Sequence, residues 1–144
     1  MDKYLFSYAT AEDPPVKRSL IRLVERATGQ PMLKRLYLEN QRCPRAGESF
    51  FAAAVRKLDL DVRFDETALA RIPATGPVVI VANHPYGVLD GIVISWLVEK
   101  IRRDFVVLTN AVLMRAPEIR DHILPIDFAG TPEAMQTNID SRAA

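Results

Sequence analysis

The chain has 144 residues, enough for one domain with a real core, and 49% of them are hydrophobic. Nineteen basic against eighteen acidic side chains leave a net charge of +1, which argues against a polyanion binder working by bulk charge. One cysteine, Cys43, excludes an internal disulfide or a zinc finger, and no apolar run approaches the 18 residues of a transmembrane helix.

Residues 1–13 read as an arm, poorly ordered or clamped, without the charged-then-apolar pattern of a secretory signal. Asp13-Pro14-Pro15 is a helix start: a capping side chain, then proline near the first turn. Val16, Leu20, Leu23, Val24 and Ala27 follow at helical spacing, and Gly29 is expected to end the helix. After Pro31, Leu33, Leu36 and Tyr37 make a second amphipathic helix, with Lys34 and Arg35 on its other side. Residues 14–45 carry eight basic side chains against Glu25 and Glu39, a local excess of +6. Such helices could rest on an anionic bilayer, dock an acidic carrier protein, or bury their stripe in an ordinary core.

Glu48–Leu58 reads as a third helix, with Phe50, Phe51, Ala54, Val55 and Leu58 on its apolar side. Leu60, Val62 and Phe64 alternate with Asp61 and Arg63, a strand pattern. Asp65–Arg71 is a short helical or turn segment, and residues 72–77 are a hard stop containing Pro73, Gly76 and Pro77.

The chain then reads P-V-V-I-V-A-N-H-P-Y-G-V-L-D-G over residues 77–91. Val78–Ala82 predicts a strand buried on both faces, as in a parallel sheet. Pro85 biases His84 toward extended backbone, and Gly87 permits a sharp bend. In open α/β sheets this junction, beyond the carboxyl end of a strand, is a common place for a ligand. Histidine exchanges protons near neutral pH, and a carboxylate bonded to one ring nitrogen leaves the other free to take a proton. On spacing alone, His84 and Asp90 also fit a strand-end and a helix-capping role.

Asn83-His84 followed by Asp90 after an apolar strand resembles the first motif of the glycerolipid (lysophospholipid and lysophosphatidic acid) acyltransferase superfamily. The usual N-H-x-x-x-x-D pattern has one residue fewer. The form N-H-P-x-G-x-x-D-G is similar to the branch called hemolysin-like, akin to the enzymes that acylate lyso-ornithine lipid. The Gly87 bend is expected to absorb the extra residue. The resemblance implies an acyltransferase with His84 as general base and Asp90 as its orienting acid, with Asn83, Tyr86 and Gly87 lining the substrate. It also implies a lyso-lipid acceptor and a thioester donor on acyl carrier protein or coenzyme A; the sequence shows no metal-ligand cluster or phosphate loop, so no metal or other cofactor is expected. The place implied is cytoplasmic, peripheral on the inner face of the cell membrane. Oxyanion donors are sought among the backbone amides of Gly87 or Gly91. The other readings of the residues are a non-catalytic lipid or acyl-carrier binding module and, on the same pair, a thioester hydrolase.

Ile92–Val98 belongs to a nearly all-apolar helix over Gly91–Arg102, expected to be buried with Trp96 in its core, and Lys100, Arg102 and Arg103 lie at its exit. Phe105–Thr109 and Ile123–Phe128 are predicted strands around a basic loop-to-helix passage. L-T-N-A-V-L-M-R-A-P and I-L-P-I-D-F resemble the second region of the same branch, which nominates Asn110 and Arg115 for the acceptor, while His122 reads as structural. Thr131-Pro132-Glu133 opens a last helix. The third superfamily motif, F-P-x-G-T-R or a variant, is absent. The expected architecture is an α/β fold with a largely parallel sheet: a helical segment over 1–58, then the front part of an acyltransferase domain over 59–144. As such a front part, the chain alone is expected to be poorly soluble or inactive.

Overall fold

The computed structural model describes Ser7, Ala9, residues 13–27 and residues 30–143. In chain order these form α1 (Pro15–Ala27), α2 (Gln30–Arg42), α3 (Phe50–Lys57), α4 (Glu66–Leu69) and α5 (Val88–Glu99). β1 (Val107–Asn110), two 3-10 helices (Ala111–Arg115 and Pro117–His122), β2 (Ile123–Ile126) and α6 (Pro132–Ala143) follow. The chain divides into two compact units, one of residues 1–43 with 106–144, the other of residues 44–105. The boundary expected at residue 58 falls inside the second unit. The arm expected over 1–13 and the stop expected at Gly29 lie almost wholly outside the described residues.

In the first unit, α1 starts where the proline pair placed it: the Arg18 amide donates to the Pro14 carbonyl at 2.9 Å, and Lys17 pairs with Asp13 at 2.7 Å. The apolar stripe of α1, however, faces water, which overturns an ordinary buried stripe. Helical periodicity creates an apolar face but does not supply a partner for it. β1 and β2 are parallel, in the register Val107↔Ile123 to Asn110↔Ile126. A parallel pair needs a crossover, here the two 3-10 helices, where the sequence predicted a loop leading into a regular helix. α6 is fixed to the end of β2 by its polar side chains. Asn138 exchanges two hydrogen bonds with the Asp127 backbone, at 2.8 and 2.9 Å, and Ser141 Oγ donates to the Pro125 carbonyl at 2.7 Å. At the other end of the helix, the Thr131 hydroxyl accepts the Ala134 amide at 3.2 Å, the cap that the sequence predicts.

The first unit also contains a polar link between α2 and the second 3-10 helix, buried at Tyr37 and open to solvent at Gln41 and Glu118. Tyr37, 8% exposed, donates to Glu118 Oε2 at 2.7 Å, and Gln41 donates to both Glu118 Oε1 and the Tyr37 hydroxyl at 2.8 Å. Burial, then the Glu118 hydrogen bond and charge, hold the Tyr37 phenol protonated to higher pH than usual. For Glu118 burial pushes the carboxyl up, but the hydrogen bonds from Tyr37, Gln41 and the backbone together bring it below the usual range.

The second unit is organised by α3 on α5. Ser49 caps α3, its hydroxyl accepting the Ala52 amide at 3.0 Å and donating to Glu99 on α5. Phe51, Ala53 and Val55 on α3 and Ser95 and Val98 on α5 are buried there. Phe105 adds a ring 6.0 Å from that of Phe51. Phe64 meets Trp96 edge-on at 5.9 Å, while Lys100 covers the indole at 4.1 Å. α5 is therefore only partly buried, not the enclosed helix expected from its composition, and it begins at Val88 rather than Gly91.

Two predicted strands are not formed. Residues 60–64 and 78–82 have no ladder partner among the described residues, and strand propensity without a neighbouring backbone makes no sheet. Val78 and Ile80 are 39% and 42% exposed while Val79 and Val81 are each 87% exposed. That alternation shows a run resting on one side only, not one buried on both. What stands is a mixed, helix-rich α/β arrangement with a two-stranded parallel sheet.

Candidate active site

The site residues Asn83, His84, Tyr86, Gly87 and Asp90 lie together in the second unit, on the turn that leads into α5. Pro85 keeps the chain out of the helix until Gly87, whose φ of 60° and ψ of −114° suit glycine and strain any other residue. The turn is closed by two bonds. The Gly87 amide donates to the His84 carbonyl at 3.1 Å, and the Tyr86 amide donates to Asp90 Oδ2 at 2.7 Å. Asp90 sits in the first turn of α5, where a carboxylate also meets the positive end of the helix dipole. It reaches back over the turn much as the acidic member of a capping box does.

Asn83, His84 and Tyr86 are exposed, Tyr86 at 75%, so an incoming hydroxyl can reach the imidazole. No hydrogen bond joins His84 to Asp90, and Asp90 Oδ1 makes none among the described residues. Asp90 thus holds the loop that carries His84, and one of its oxygens is left for a further donor.

The amides of Gly87 and Gly91, expected as oxyanion donors, are both occupied. Gly87 donates within the turn, and Gly91 donates to the Gly87 carbonyl at 3.2 Å. The amides that remain are those of Val88, Leu89 and Asp90, the first three of α5, which a helix leaves without internal acceptors. α5 starting earlier than expected is what shifts these donors.

Arg102, expected to complement only the end of its helix, anchors the approach to the loop. Its Nη1 donates to the carbonyls of Pro73 at 3.2 Å and Gly76 at 2.9 Å, while Nε and Nη2 fork onto Asp104 at 2.8 Å each. The Arg102 side chain is 8% exposed. That bidentate bond holds the Asp104 carboxyl below its usual range.

Asn110 and Arg115 belong to the first unit. Asn110 ends β1 opposite Ile126, and Arg115 ends the first 3-10 helix, its Nη1 donating to the Ser7 carbonyl at 3.1 Å. His122, at the end of the second 3-10 helix, is half-buried. Among the described residues no group of three or more His, Cys, Asp and Glu side chains could hold a metal ion, and no helix is long and apolar enough to cross a membrane.

No protein-family model, curated protein or solved structure matches this chain. The geometry brings an exposed imidazole, a carboxylate and three amides without an acceptor among the described residues onto one helix start. The Arg102 anchor lay hidden in the sequence, because a guanidinium bonded to carbonyls 26 and 29 positions away leaves no spacing signal.

Proposed function

We propose that this protein is an acyltransferase of the glycerolipid type, moving a fatty acyl group from a thioester on acyl carrier protein or coenzyme A to a lyso-lipid. The observation that carries the reading is the exposed His84 on a turn tied down by Asp90, at the open amide end of α5. His84 takes the proton of the acceptor hydroxyl as its oxygen attacks the thioester carbonyl carbon, general-base help typically worth about 10²–10⁴-fold. The resulting oxyanion is met by the amides of Val88, Leu89 and Asp90 and by the dipole of α5. When the intermediate collapses, the carbon–sulfur bond breaks and the imidazolium returns its proton to the departing thiolate. Asp90 serves twice: Oδ2 holds the turn, and Oδ1 accepts from the imidazole once the His84 side chain swings toward it. Tyr86 and Asn83, on the same turn, flank the acceptor.

The test offers radiolabelled acyl-carrier-protein and coenzyme A thioesters, with a panel of lyso-lipids, to the protein expressed from its own gene. Label in a diacylated lipid supports the reading. Free fatty acid alone makes the protein a thioester hydrolase. One observation favours a second reading: the outward apolar face of α1 suits a non-catalytic lipid or acyl-carrier binding module, for which His84 would be dispensable.

A further inference from the structure

Residues 78–82 leave a row of backbone groups open to water. No N–H or C=O group of the run has a hydrogen-bond partner among the described residues, and Val79 and Val81 stand outward. Open strand edges are ordinarily blunted by charge. Residues 60–64 have that protection: Asp61 and Arg63 pair in solvent at 2.9 Å, and Phe64 meets Trp96. Residues 78–82 have none, because no Asp, Glu, Lys or Arg lies between Arg71 and Asp90. The two edges of the run also differ. In a strand, the N–H and C=O of one residue point to one edge and those of the next to the other. Pro77 shares an edge with Val79 and Val81 and has no N–H to give, whereas the edge of Val78, Ile80 and Ala82 keeps every donor.

We propose that residues 78–82 pair with the same residues of a second copy of this chain, as antiparallel strands about a two-fold axis at Ile80. The complete edge sets the register. Val78, Ile80 and Ala82 exchange hydrogen bonds with Ala82, Ile80 and Val78 of the second copy, so every donor on that edge gains an acceptor. Each copy offers the other the same surface, which closes the pair as a dimer. Val79 then falls opposite Val81 of the second copy in a non-hydrogen-bonded pair, where Cα atoms approach to about 4.5 Å and side chains touch. The two valines left at 87% exposure thus cover each other twice, once on either side of the axis. With no charge on the run, identical copies meet without repulsion. Residues 78–82 are far fewer than the roughly 20–30 residues a side of a standard interface, so the dimer is weak, dissociating at micromolar concentrations or above. The inference is independent of the acyl-transfer reading, and it supplies the run with the neighbour that a strand requires.

Sedimentation velocity of the protein expressed from its own gene, over a concentration series from micromolar upward, tests it. A monomer–dimer equilibrium is expected. Val79→Lys with Val81→Lys sets like charges opposite each other on both sides of the axis and should weaken the dimer at least about tenfold. Val79→Lys with Val81→Glu sets lysine opposite glutamate instead. That variant should dimerise at least about tenfold more tightly than the double-lysine one, the gap closing as salt rises. Ile80→Pro removes the central donor without adding charge and should leave a monomer. The valine side chains stand in water, so an unchanged far-ultraviolet circular dichroism spectrum is expected of both charge variants. Four results would overturn the proposal: a monomer at every concentration, open-ended aggregates in place of a dimer, a double-lysine variant that dimerises like the parent, or a lysine–glutamate variant no tighter than the double-lysine one. The last is what a parallel, in-register pairing gives, because lysine then meets lysine and glutamate meets glutamate.

Discussion

The backbone N–H of Tyr86 donates to Asp90 Oδ2 at 2.7 Å, across the start of α5. This bond gives Asp90 a structural task separable from any task in chemistry. Asp90→Ala loses the acceptor, at a cost of about 1 kcal/mol. Asp90→Asn keeps an oxygen for the Tyr86 amide and should unfold in urea close to the parent midpoint. Without the charge that steadies an imidazolium, the asparagine variant should still transfer acyl groups more slowly. Parent-like transfer by that variant would reduce Asp90 to a cap.

Arg102 is the second support of the loop. Replacing it by alanine strands the Pro73 and Gly76 carbonyls and frees the turn that feeds residues 77–91. Amide hydrogen exchange at Tyr86 and Gly87, the bonded amides of the turn, should then quicken while α3 keeps its protection. Arg102→Lys retains the charge but cannot serve Asp104 and two carbonyls at once, so it should behave more like alanine than like the parent. Unchanged exchange in both variants would show that the turn holds itself.

Much of the first unit could be read from local signals, because those signals are complete within a few residues. Thr131 followed by Pro132 starts α6 whatever surrounds it, and Asp13-Pro14-Pro15 starts α1 for the same reason. The parallel pair was legible as two short apolar runs separated by a crossover. Val78–Ala82 was misread because a strand is made by its neighbour: the run has the propensity, yet no described backbone pairs with it. The stripe of α1 failed in the same way, since spacing defines a face and not what covers it. In the loop, the sequence brought His84 and Asp90 to one turn. It could not show that the nearest donor to the carboxylate is the Tyr86 amide rather than the imidazole.

The Tyr37–Glu118 pair gives the first unit a pH dependence with two edges. Glu118 is held below its usual value, so its contribution is present above the unfolded carboxylate value and fades as pH falls through the folded one. Tyr37 is held above its usual value, so its contribution is present below about pH 10 and fades as pH rises beyond it. Tyr37→Phe removes the donor that links both effects. Urea midpoints should show the parent ahead by about 1 kcal/mol between about pH 5 and 10, with allowance for the solvent around Glu118. The difference should shrink toward either edge. A gap that stays constant from acid to alkali would mean that the substituted ring is merely packed differently.

The measurement that reaches the centre of this account is acyl transfer with His84 changed. In the protein expressed from its own gene, His84→Ala should lower formation of the acylated lipid at least about 10²-fold, with the fold intact. Transfer that survives the substitution at the parental rate would contradict the account, because no other group on the loop is assigned to take the proton from the acceptor.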